Sequence, residues 1–123
     1  MSYQYYNANP LGRNVNDCAV RAISLAEDKS WDETYKKLAE FSRQEGITLS
    51  EVEFIDKYLY ERYEAFCNPK RINFTVKDFL ELDLKGRWLI TTPGHITCVI
   101  NGVCYDTFDP SEKLVYCIYK VKG

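Results

Sequence analysis

Two side chains of this 123-residue chain invite acyl chemistry: Cys18, in "NVNDCAVRAIS" (14–24), and the only histidine, His95, which follows Pro93-Gly94. A cysteine in the first turn of a helix lies beside unpaired backbone N–H groups and the positive end of the helix dipole. Both favour the thiolate, the form that attacks carbonyl carbon. An imidazole that takes the thiol proton makes a nucleophile–base pair, and a third group must hold the ring in one tautomer. Read in isolation, Cys18 is a small packing residue and His95 a surface or core residue. Their relation to the elements that carry them decides between the two readings.

The third group follows from a hairpin. "HITCVI" and "VCYDTF" flank Asn101-Gly102, the dipeptide of a type I′ turn. A two-residue turn there sets Ile100 opposite Val103, Thr97 opposite Asp106 and His95 opposite Phe108. Side chains alternate faces, so His95, Thr97, Asp106 and Phe108 share one. His95 and Asp106 become diagonal neighbours, roughly 7–8 Å apart at the backbone and within side-chain reach. Asp109 falls on the other face and reads as a turn acceptor before Pro110-Ser111. Phe108 is positioned to shield the His95–Asp106 contact. The same register separates Cys98 from Cys104 and leaves Cys104 on the histidine face as a rival nucleophile. Cys67 and Cys117 read as packing residues.

These residues need elements to carry them. A helix over roughly 17–27, with Asn16 as N-cap, places Ala19, Ala22, Ile23 and Ala26 on one small face suited to close packing. Asp17 and Arg21 are spaced to pair across one turn. Ser30 and Glu33 form a capping-box pattern for a second helix ending at Gly46, with Trp31, Tyr35 and Leu38 inward. Ser50 and Glu53 repeat the pattern before a third helix with Ile55, Tyr58, Leu59, Tyr63 and Phe66 on one side. Thr75 caps a short fourth helix through about Leu82. From Arg87 the pattern turns to strands: "RWLITT", the hairpin, and "KLVYCIYKV". Residues 2–15 read as polar and irregular. Helices first and an antiparallel sheet of about four strands second define an α+β class in one domain, 1–123.

Composition narrows the function. The chain is 46% hydrophobic and 28% charged, with net charge −2, which argues against nucleic acid as an obligatory partner. No run of 18 apolar residues suggests a membrane span, and the start lacks the pattern of an export signal. Five cysteines, an odd number, then predict free thiols in a cytoplasmic protein. With no C-x-x-C pair and one histidine, a zinc site is not expected. No cofactor is expected.

A cysteine opening an Ala-rich helix, Gly-His opening a strand and an Asp on the next strand resemble the papain-like cysteine peptidase superfamily. More narrowly, "NPLGRNVNDCAVRAIS" with "GHITCVINGVCYDTFD" is similar to small, mostly uncharacterised phage and prophage proteins. The resemblance implies a papain-like fold with the Cys-bearing helix packed on the C-terminal sheet. It implies Cys18 as nucleophile, His95 as general base, Asp106 as orienter, and an oxyanion hole made by the Cys18 backbone N–H and an upstream side chain. Papain-like enzymes usually carry Gln five or six residues before the cysteine. This chain has Arg13 and Gly12 there, so the donor expected is Asn9, with Asn14 and Asn16 as alternatives.

The function expected is a thiol hydrolase or acyltransferase that cleaves a peptide, isopeptide or other amide through an acyl-thioester on Cys18. The alternative is a catalytically weak scaffold of the same fold that binds a host protein. Amide cleavage in peptidoglycan is a third, weaker possibility. Oligomeric state is not legible in the sequence.

Overall fold

The Asn101-Gly102 turn organises the site-bearing half of the molecule. In a computed structural model, which describes residues 3–48, 52–68 and 72–122, both turn residues have positive φ, 49° and 82°, as a type I′ turn requires. The turn joins β4 (His95–Ile100) to β5 (Val103–Asp106), with Ile100 opposite Val103 and Cys98 opposite Tyr105. β3 (Arg87–Thr92) pairs with the other edge of β4, and Thr92 lies opposite His95.

The sheet is larger than the expected four antiparallel strands. Among the described residues it has six, in the order β1-β5-β4-β3-β6-β2, and is mixed. β1 (Tyr3–Tyr5) adds to β5 in parallel, with Tyr5 opposite Asp106. Three residues are too few for alternation to register, and the partner is distant in sequence, so residues 2–15 read as irregular. β6 (Cys117–Lys122) pairs antiparallel with β3 and with β2 (Glu64–Cys67). The helix periodicity that ran through Tyr63 and Phe66 is interrupted by a turn, and Glu64–Cys67 become an edge strand instead. β6 also starts later than "KLVYCIYKV" suggested: of its first four residues, Leu114 makes only an isolated bridge to Thr75.

The β2–β6 register places Cys67 directly opposite Cys117, and the two form a disulfide. This corrects their reading as packing residues and the expectation that all five thiols are free. The pairing was hidden because it depends on β2, which the sequence pattern assigned to a helix.

Among the described residues four helices cover the sheet: α1 (Cys18–Glu27), α2 (Trp31–Glu45), α3 (Val52–Tyr60) and α4 (Val76–Glu81). The capping box of Ser30 and Glu33 forms, and α2 stops at Gly46 in the left-handed region. Thr75 caps α4 in a box with Asp78. The Ser50–Glu53 pattern falls at residues outside those whose side chains are described. On α2 the buried stripe is Thr34, Leu38 and Phe41, while Tyr35 is exposed.

Two apolar clusters sandwich the sheet. Val20, Ala22, Ile23 and Ala26 of α1 pack with Leu38, Tyr58, Leu89, Ile96 and Cys98 on one face. Val76, Phe79 and Leu80 of α4 pack with Ile90, Val99 and Cys104 on the other. The three buried positions on α1's small face, Ala22, Ile23 and Ala26, let it press onto β4. Among the described residues, no helix is long and apolar enough to cross a membrane.

Candidate active site

α1 begins at Cys18, one residue later than expected, and its N-cap is Asp17 rather than Asn16. The Asp17 side chain does not cap the helix. Its carboxylate accepts from three side chains: Arg21 Nε at 2.7 Å, Trp31 Nε1 at 2.9 Å and Asn9 Nδ2 at 3.2 Å. A buried carboxylate is costly unless its lone pairs are filled, and here three donors fill them. This fastens the first turn of α1 to the start of α2 and to the N-terminal segment. Cys18 is thereby the first residue of the helix, and its backbone N–H has no intrahelical acceptor.

His95 is the first residue of β4 and Asp106 the last of β5. Ile96 and Cys98 of β4 pack in the cluster under α1. At the strand ends Asp106 bonds Arg21 of α1, and His95 shares a cavity with Cys18. His95 Nε2 lies 2.7 Å from Asp106 Oδ2. Cys18 and His95 line the same cavity, close enough for each to shift the other's pKa. Phe108 packs against the imidazole, with ring centroids 4.7 Å apart.

Asp106 is buried and also accepts from Arg21 Nη1 at 3.1 Å and from the Thr107 backbone N–H at 2.7 Å. Burial pushes its pKa up, but the hydrogen bonds of His95 and Thr97 and the histidine charge outweigh burial and lower it. It is an anion at neutral pH. Burial pushes the His95 pKa down, but hydrogen bonds and charge from Asp106 and Cys18 raise it overall to about 9. For Cys18 burial again acts first, raising its pKa. The His95 hydrogen bond and charge, the Ile96 backbone N–H and the Arg21 charge then bring it below the ordinary value. The pair therefore favours thiolate and imidazolium over two neutral groups.

The remaining cysteines have the opposite character. Burial pushes Cys98 far up and Cys104 to about 12. Cys104 lies against Thr97, its sulfur 3.2 Å from Oγ1, with no imidazole partner. Asp109 accepts the Ser111 backbone N–H at 3.0 Å and serves its own turn.

Among the upstream amides, Asn9 is buried and engaged on both ends. It donates to Asp17 and accepts from the Leu11 N–H at 2.9 Å. Asn16 lines the cavity that holds Cys18 and His95. Arg21 was legible as a partner of Asp17, but its second bond to Asp106 was not, because it depends on helix–sheet docking. Among the described residues, no group of three or more His, Cys, Asp or Glu is arranged to hold a metal ion.

Comparison with protein-family models, curated proteins and solved structures finds no match to this chain.

Proposed function

We propose that the protein is a thiol hydrolase or acyltransferase acting on a peptide, isopeptide or other amide. The single observation that carries this reading is the His95 ring, 2.7 Å from the Asp106 carboxylate and lining one cavity with Cys18. The order of Cys-bearing helix, His-bearing strand and Asp-bearing strand in the chain supports it further.

In this reading the Cys18 thiolate attacks the substrate carbonyl carbon and the C=O π pair moves to oxygen. The resulting oxyanion meets the Cys18 backbone N–H, with Asn16 as the side-chain donor nearest the cavity. The His95 imidazolium gives its proton to the leaving amine as the C–N bond breaks, leaving an acyl-thioester. Water or an acceptor amine, deprotonated by His95, then attacks the thioester and Cys18 leaves as thiolate. Asp106 stays ionised and keeps the ring oriented.

The test is trapping by acyl electrophiles. Peptide aldehydes, ubiquitin-tail electrophiles and acyl chloromethyl ketones should label Cys18, at rates that depend on acyl structure, with each site located by mass spectrometry. Slow labelling that ignores acyl structure contradicts the reading and favours the protein-binding scaffold.

A further inference from the structure

The cavity that holds Cys18 and His95 extends between α1, α2, α3 and β3, with a volume of about 190 Å³. That is below the roughly 300–1,000 Å³ typical of whole small-molecule ligands and suits one side chain. Its walls are mainly apolar. Trp31 and Tyr35 are stacked, with centroids 5.2 Å apart and planes 7° from parallel, and Leu38, Ile55 and Ile96 complete the lining.

Two carboxylates interrupt this lining, Asp17 and Asp56, and Asp17 is already paired with Arg21. Asp56 of α3 is half-buried in the cavity wall. Its Oδ1 accepts from the Tyr119 hydroxyl at 2.9 Å. Among the described residues no Lys or Arg forms an ion pair with it. By contrast, Asp17 and Asp106, the other carboxylates near the site, both hold Arg21. A carboxylate with lone pairs left over in an apolar, aromatic-walled cavity is complementary to an alkyl chain that ends in a cation. The stem packs on the walls, the charge meets the carboxylate, and the aromatic faces add cation–π attraction.

We propose that this cavity is a specificity pocket for a lysine or arginine side chain of the substrate, with Asp56 as the residue that recognises its charge. The proposal rests on the thiol-acyl reading for its place in the reaction, but side-chain recognition is measurable without any chemistry at Cys18.

The experiment therefore uses the full chain carrying Cys18→Ala. The Trp31 indole signal is followed by NMR during titration with the acetyl, methylamide-blocked derivatives of lysine, norleucine and glutamate. Lysine should bind about tenfold or more tightly than norleucine, the same chain without the charge. Glutamate should bind weakest. Asp56→Asn keeps an acceptor for the Tyr119 hydroxyl and should bring lysine to the level of norleucine. Equal affinities of lysine and norleucine would overturn the proposal. So would a lysine preference unchanged in Asp56→Asn, or no movement of the Trp31 signal with any ligand. The order of the three ligands in one protein decides the matter even if Asp56→Asn does not fold. An inert Cys18 would defeat the thiol reading while leaving these affinities as they are.

Discussion

Arg21 Nη1 lies 3.1 Å from Oδ1 of Asp106, the carboxylate whose other oxygen holds His95. The helix that carries Cys18 is thus tied by its own arginine to the strand that orients the histidine. The same guanidinium bonds Asp17, the N-cap of that helix. One cation therefore sets the distance between the nucleophile's helix and the imidazole's support.

Replacing Arg21 tests that tie. Arg21→Met leaves two buried carboxylates without their shared cation, and breaking such a buried pair typically costs about 3–5 kcal/mol. Denaturant unfolding should show a loss of that order. Cys18 alkylation should slow as well, because Asp106 and Cys18 both lose the nearby positive charge.

The two acids after the hairpin should separate. Asp106→Asn should leave a folded protein whose Cys18 alkylates more slowly, since the amide no longer stabilises the imidazolium. Asp109→Asn should change the Cys18 rate little, because Asp109 serves the Ser111 turn. Rates and thermal midpoints of both variants check this without knowledge of the substrate.

That result would also mark how far the sequence was legible. The hairpin register came from the Asn101-Gly102 turn and the alternation of side chains, both local rules, so the His95–Asp106 juxtaposition could be read directly. The cap of α2 and the turn role of Asp109 were legible for the same reason. The partners of Asp17 were not all local. Asn9 and Trp31 lie 8 and 14 residues away, and their amide and indole N–H groups carry no periodic signal. β1 and β2 were missed because one is three residues long and the other continued a helical pattern. The pocket residue Asp56 lies in a helix whose inward face looked apolar, and only the arrangement of α3 against β6 sets it beside Tyr119.

The disulfide makes a count. Unfolded without reductant, the protein should titrate three free thiols, Cys18, Cys98 and Cys104, and all five after reduction. The bridge spans 50 residues, so Cys67→Ser with Cys117→Ser should cost about 2–5 kcal/mol of stability. Five thiols before reduction would contradict the pairing.

The most direct test of the Cys18–His95 relationship is the pH dependence of Cys18 alkylation by iodoacetamide, resolved by site. The thiolate fraction grows as pH rises through the Cys18 pKa, which the His95 hydrogen bond and charge bring below the ordinary thiol value despite burial. The rate should therefore reach half its plateau at a lower pH than an ordinary cysteine thiol does, with Cys98 and Cys104 unmodified under the same conditions. His95→Ala removes the hydrogen bond and the charge while burial remains, so the midpoint should move to the usual value or above it. A wild-type midpoint at or above the usual value, unchanged in His95→Ala, would contradict the account.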